Sequence, residues 1–284
     1  MAVDSFITGK PENLATLEGK PGFSFLEHDI TRPFSVEGPV DYVLNFASPA
    51  SPIDYAKLPL ETLRVGSAGT ENALKIALAK KARFLQASTS EIYGDPKVHP
   101  QREDYLGNVD CTGPRAVYDE AKRYGEAIVS AYRRSLGVNT GIVRIFNTYG
   151  PRMRLDDGRV VPAFLGQALR GEDFTVFGDG TQTRSFCYAD DLVRGILLLA
   201  ESGYPHPVNI GNPTEFTMLE FVETVRKAVG GGGRITFQPL PKGDPKQRKP
   251  DITLAKQILG WEPKVPLEQG LERTIAWFRT QLKA

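Results

Sequence analysis

The chain has 284 residues, 40% of them apolar, and a formal charge of +1. That length and content bury one substantial core and a smaller second lobe, while a charge so near zero argues against nucleic acid or an anionic membrane surface as a general partner. Two distant cysteines, Cys111 and Cys187, exclude a disulfide framework or a zinc site, so packing roles for both and a reducing, cytoplasmic setting are expected.

The chain opens on Met1-Ala2-Val3-Asp4-Ser5-Phe6, a short apolar stub read as the end of a strand. A strand follows at 42–47 and a helix at 60–80, carrying Leu63, Leu74, Ile76 and Leu78. Residues 84–88 form a buried strand that runs into the polar triplet Thr89-Ser90-Glu91. The next helix, 118–135, begins with Tyr118 and Lys122, and a further strand spans 141–146. Past Tyr149 the elements shorten and Pro and Gly become more frequent. Thr217-Met218-Leu219-Glu220 is a capping box that opens a helix ending at Val229. The glycines at 230–233 follow a helix and precede the strand 234–237, the reverse of a phosphate loop, so they read as a connector. No apolar run approaches the roughly 20 residues that cross a bilayer, the longest candidate being 196–200, and the N-terminus lacks the pattern of a signal peptide.

Strands alternating with helices predict right-handed βαβ units and a parallel sheet. A dinucleotide-binding sheet of this kind normally starts with a strand, a Gly-rich turn and a helix. No G-x-G-x-x-G or G-x-x-G-x-x-G occurs in this chain. The expectation is therefore an α/β fold with a Rossmann-like doubly wound parallel sheet, N-terminally truncated, and a smaller C-terminal α/β lobe. Residues 1–150 would form the NAD-binding domain without its first βα unit, and 151–284 mainly the substrate lobe, with segments returning to the first domain. Asp4, closing its strand, would receive the ribose hydroxyls and repel a 2′-phosphate, favouring NAD over NADP.

Tyr118 and Lys122, four apart, share one face of a helix. A phenol with a pKa of ~10 is a weak base at neutral pH, and a nearby ammonium favours the phenolate. Such a Tyr takes a proton from an alcohol while hydride leaves the same carbon. The polar triplet at the carboxyl end of a central parallel strand lies where open α/β sheets bind ligands. Ser88 reads instead as a structural hydroxyl.

These residues, with Ala47-Ser48-Pro49-Ala50-Ser51-Pro52, Ala87 to Pro96, Gly113-Pro114-Arg115, Arg144 to Met153, 157–161, Gly178 to Phe186, Arg248-Lys249-Pro250-Asp251 and Leu259-Gly260-Trp261-Glu262-Pro263, make the chain similar to the extended short-chain dehydrogenase/reductase family. Within it, the Ser-Pro-Ala-Ser-Pro, Thr-Ser-Glu and Arg-Lys-Pro-Asp segments most resemble the UDP-glucuronate decarboxylases. The resemblance implies NAD as catalytic cofactor and UDP-glucuronate as substrate. It makes Tyr118 the base at the sugar C4 hydroxyl and gives Lys122 the nicotinamide ribose and the lowering of the phenol pKa. Thr89 would bond the C4 oxygen, with Ser90 and Glu91 facing C5. The cofactor pocket would use Asp4, Ser5, Phe6, Thr8, Asp29, Ile30, Phe46, Ala47 and Ser48, with Thr148 and Arg159 near its nicotinamide half. Asn147, Arg184 and Arg248 would contact the UDP-sugar, chiefly its diphosphate. A homodimer through a four-helix contact of the helices 60–80 and 118–135 is also implied, although their second apolar faces could pack within one subunit. The chain departs from the family pattern at Gly66, where relatives usually have Asn, at Asn45 for a commoner His, and at Arg154, where some have His. Two other readings stay open: a nucleotide-sugar 4,6-dehydratase, and a non-catalytic sugar-nucleotide-binding homologue without NAD.

Overall fold

The computed structural model describes residues 1–241, 243 and 245–282. The chain opens on a strand, β1 (Ala2–Asp4), which pairs in parallel with β2 (Phe25–Glu27). The expected lack of an opening strand is corrected to that extent: Val3 lies opposite Leu26, and both are half-buried. No Gly-rich turn and α-helix follow β1; the chain runs through Ser5 to Gly9 into a single 3-10 turn at Pro11–Asn13. Among the described residues this pair forms a sheet of its own, without a ladder to the next strand.

Four parallel strands make the main sheet, in the order β10-β5-β4-β3. They are β3 (Tyr42–Asn45), β4 (Arg83–Thr89), β5 (Thr140–Ile145) and β10 (Pro207–Ile210). Successive side chains of a strand point to opposite faces, and β4 is buried along its whole length. Phe84 packs on one face with Leu74 and Val129, from α3 (Thr70–Lys80) and α4 (Ala116–Leu136). Leu85 packs on the other with Leu199 of α6 (Ala189–Glu201), Ala255 of α8 (Thr253–Leu259), and Trp261. The Trp261 indole donates to the Asp191 carbonyl at 2.9 Å, so the Gly260-Trp261 segment is pinned under the sheet. A second core gathers Phe164 of α5 (Val160–Arg170), Phe174 of β7 (Phe174–Phe177), Phe221 of α7 (Met218–Val229) and Phe278 of α9 (Leu267–Gln281). Shorter pairs complete it: β6 (Thr148–Tyr149) with β9 (Cys187–Tyr188), β8 (Thr183–Ser185) with β11 (Glu215–Thr217), and β7 with β12 (Ile235–Gln238). The capping box at Thr217 and Glu220 is formed, and Gly230 ends α7 in the left-handed conformation. Cys187 is buried as expected; Cys111 is exposed, which corrects its packing role, because it lies in the turn region before α4 rather than against the core.

The predicted helix 60–80 is one path in three pieces: α2 (Pro59–Arg64), a π-helical turn (Val65–Gly69) and α3. Ahead of it lies α1 (Pro52–Lys57). Single π turns recur at functional sites, and this one lets Gly66 meet α4 closely. A Cβ on Gly66 would lie 2.6 Å from the Ala121 Cβ and 2.9 Å from its carbonyl oxygen. The Asn of the family pattern therefore has no room at this crossing. Gly66→Ala is expected to cost about 1–3 kcal/mol, measured by urea unfolding, because α4 must be pushed away from the turn.

Candidate active site

A cavity of about 520 Å³ opens where the carboxyl ends of β4 and β5 meet the second core. The Thr89 hydroxyl caps the turn Ser90–Tyr93 by accepting the Glu91 N–H at 3.2 Å, so the triplet is held at the strand end with its side chains toward the cavity. Tyr118 and Lys122 reach the same cavity from the first turns of α4. The Lys122 ammonium sits 5.6 Å from the Tyr118 ring centroid and donates to the Ala87 carbonyl at 3.1 Å. Ser88 borders the cavity, but its hydroxyl donates to Glu126 at 2.6 Å, and Glu126 pairs with Arg144 at 2.8 Å.

Burial dominates the protonation of this pair. It pushes the Tyr118 phenol well above its ordinary value, helped by the Glu91 carboxylate and opposed by Arg159 and a hydrogen bond with Thr89. It also pushes the Lys122 ammonium down to about 8. Burial disfavours the charged form of each group, the phenolate and the ammonium alike. A charged buried Lys is costly, so Lys122→Met is expected to raise stability at neutral pH by roughly 1–3 kcal/mol. Because the folded value is depressed, the wild type should also gain stability from pH 8 to 10.5, and the variant should not. Urea midpoints across that range check both.

Tyr55, which the sequence reading passed over, stacks on Tyr118 with centroids 5.1 Å apart and planes at 11°. The Ser-Pro-Ala-Ser-Pro segment explains its position. Ser51 caps α1 by accepting the Asp54 N–H at 3.1 Å, Pro52 supplies a pre-set first residue, and Tyr55 follows one turn on. Arg154 holds the same helix through Asp54 at 2.7 Å.

Glu91 is not a free carboxylate. Arg115 donates to its Oε2 at 2.7 Å, and Arg248 holds both of its oxygens, Nη2 to Oε2 at 2.9 Å and Nη1 to Oε1. Burial acts to raise this carboxyl, but Arg248 and Arg115 outweigh it and hold it at about 2. Arg248 therefore lies at the triplet. Arg184 lines another part of the cavity, together with Phe177 and Gln182, and donates to the Thr183 carbonyl at 2.8 Å. Asn147 lies on the cavity wall after β5. Arg115 was missed as a site residue, although it stands three residues before Tyr118, one turn away.

The residues expected to hold the cofactor fall in two groups. Phe46, Ser48, Thr148 and Arg159 line the cavity with Tyr118 and Lys122. Arg159 is held by Asp157 through Nε at 2.5 Å and Nη2 at 2.8 Å. Ala47, between Phe46 and Ser48, is exposed. Asp4, Ser5, Phe6 and Thr8 lie in and after β1, and Asp29 and Ile30 after β2, away from the cavity lining. Both carboxylates organise local turns: Asp4 accepts the Phe6 N–H at 2.7 Å and Asp29 the Thr31 N–H at 2.9 Å. Ile30 ties this unit to α3, its carbonyl accepting from Asn72 at 2.9 Å. The nicotinamide half of NAD thus fits the cavity by its donor set. Asp4 closes β1 and Asp29 follows β2, so two acidic groups stand at the carboxyl ends of adjacent parallel strands, where open α/β sheets recognise a ribose. Among the described residues no metal-binding cluster occurs, and no helix is long and apolar enough to cross a membrane.

Comparison with known proteins follows the same lines. The chain is 49% identical over 281 residues to UDP-glucuronic acid decarboxylase 1 of Xenopus tropicalis, covering 99% of this chain and 66% of that protein. It is 49% identical over 282 residues to UDP-glucuronic acid decarboxylase 6 of Arabidopsis thaliana, covering 99% and 82%. Among solved structures, UDP-glucose 4-epimerase of Thermotoga maritima superposes with a TM-score of 0.87 at 30% identity, covering 99% of this chain and 90% of the other. UDP-glucuronic acid 4-epimerase of Bacillus cereus, in complex with UDP-glucuronic acid and NAD, gives 0.86 at 28% identity, covering 98% and 90%. The family described as NAD dependent epimerase/dehydratase matches residues 3–211. With its parallel sheet, its Tyr118 and Lys122 pair and that match, the chain belongs to the NAD dependent epimerase/dehydratase family and is closely related to the UDP-glucuronic acid decarboxylases.

Proposed function

We propose that this protein converts UDP-glucuronate to UDP-xylose. The observation that carries this reading is the wall formed by Glu91, Arg115 and Arg248 beside Tyr118 and Thr89, in one cavity. NAD, when bound, accepts a hydride from the sugar C4 and later returns it, so that it is unchanged overall. Tyr118 takes the C4 hydroxyl proton, with the Lys122 charge beside it and the Thr89 hydroxyl bonding the same oxygen. Oxidation makes the C5 carboxylate that of a β-keto acid, and loss of carbon dioxide leaves an enolate that Tyr118 and Thr89 stabilise as hydrogen-bond donors; a proton from solvent then adds at C5, and Tyr118 returns its proton to the C4 oxygen as C4 is reduced. Ser90 and the two guanidiniums hold the carboxylate end of the ring; planar Arg forks suit that group. Arg184 and Asn147 would face the diphosphate, Phe46, Ser48, Thr148 and Arg159 the nicotinamide half, and Asp4 and Asp29 the adenosine half.

The state of Glu91 weighs against a 4,6-dehydratase, which needs a base at C5. A carboxylate held by two guanidiniums is a weak base. Incubation with UDP-glucuronate and NAD should release carbon dioxide and form UDP-xylose. Formation of UDP-galacturonate without carbon dioxide would instead make the protein a C4 epimerase, and no turnover with retained UDP binding would make it a binding homologue. We further propose a homodimer through α2 and α4, which expose Leu60, Leu63 and Tyr124. Sedimentation at twice the monomer mass is the expected result.

A further inference from the structure

Beside the catalytic Tyr lies a carboxyl group that the reaction above does not use. Asp119 sits in the first turn of α4 and is only 6% exposed. Its Oδ1 is fully buried and has no hydrogen-bond partner among the described residues, and the same is true of the Arg248 Nε. Four charged groups act on Asp119. Glu91 comes from the turn after β4, Arg115 and Glu120 from α4 and its N-terminal flank, and Arg248 from the segment before α8. Its charge also reaches the Tyr55 phenol on α1. An ionised carboxylate with one oxygen unpaired in such a place is costly, whereas the neutral acid is much less so.

We propose that Asp119 is a positioning residue that sets the charge of the wall facing the sugar, making the Glu91, Arg115 and Arg248 group one unit more positive with its proton on than with it off. Protonated, it favours a sugar bearing a carboxylate; ionised, it cancels part of the field that Arg115 and Arg248 exert on that carboxylate. The inference rests on the uronate reading of the site. Burial, first, and the neighbouring Glu91 push the Asp119 carboxyl up to about 7, against the pull of Arg115 and Arg248, so both states are accessible near neutral pH. A residue outside the cavity lining thereby tunes selectivity for uronate over neutral hexose, without contact with either.

The test compares binding of UDP-glucuronate and UDP-glucose by calorimetry between about pH 5.5 and pH 7.5, where the Lys122 ammonium in the same cavity keeps most of its charge. The shared nucleotide cancels in the ratio of affinities. In the wild type the preference for the uronate should fall by on the order of tenfold as pH rises, and in Asp119→Asn it should stay at its low-pH level throughout. A ratio that is constant in the wild type, or that falls equally in the variant, overturns the inference. Should Asp119→Asn fail to fold, wild-type protein carrying 13C at its aspartate carboxyls decides. One carboxyl titrating near pH 7 and shifting with UDP-glucuronate supports the inference, and all of them titrating below about pH 5 overturns it. Both measurements read binding or titration, so an absence of carbon dioxide release would remove the proposed activity and leave this test standing.

Discussion

Tyr118→Phe is expected to slow carbon dioxide release from UDP-glucuronate by roughly 10²- to 10⁴-fold, with little change in thermal stability. The substitution keeps the ring that stacks on Tyr55 and removes only the oxygen that exchanges a proton with the C4 hydroxyl. The phenol is buried and held above its ordinary value, so its proton leaves readily only with positive charge nearby, from Lys122 and a bound oxidised nicotinamide. Lys122 keeps its charge up to about pH 8. The rate supported by the wild type should therefore fall as pH rises past that value. Single-turnover rates of carbon dioxide release across pH, with melting curves for both proteins, separate the chemical effect from a folding effect. A Tyr118→Phe protein with more than a tenth of wild-type turnover would remove Tyr118 from the reaction.

Glu91→Gln is expected to cost about 3–5 kcal/mol of folding stability, because it strips the partner from two guanidiniums, one of them deeply buried. The Glu91 carboxyl is held at about 2 in the fold, against its ordinary 4.5. Its folded value is depressed, so its contribution is fully present above pH 4.5 and is lost as pH falls toward 2. Wild-type stability should decline with falling pH in that window, and the variant should lack this part of the decline. Urea unfolding at about pH 7 and at stepped acid pH measures both effects. Equal stability of the two proteins at neutral pH would show that the ion-pair cluster carries no net weight.

Strand and helix patterns were legible wherever burial is regular. The strand expected at 84–88 is observed as Arg83–Thr89, and the helix expected at 118–135 as Ala116–Leu136. Both follow from runs of apolar residues whose period no turn interrupts. The helix expected at 60–80 concealed a π turn, because periodicity does not register one extra residue in a turn; Gly66 and Gly69 were its only signal. The opening strand was read as a stub, since three residues are too few to show alternation, and its partner at Phe25–Glu27 is equally short. At the site, Tyr118, Lys122 and the triplet were legible from spacing. The pairing of Arg248 with Glu91 was not, because it joins positions 157 residues apart. Tyr55 and Asp119 were missed for a related reason: each matters through what it stacks on or lacks in space, and neither carries a motif of its own.

The proposed reaction is oxidation at C4, loss of the C5 carboxylate and return of the hydride to C4. It is tested most directly by following UDP-glucuronate and NAD in deuterated water by NMR. The expected product is UDP-xylose with one deuterium at C5 and none at C4, with one carbon dioxide released per product. A product that keeps its carboxylate, or UDP-xylose with deuterium at C4, would contradict it.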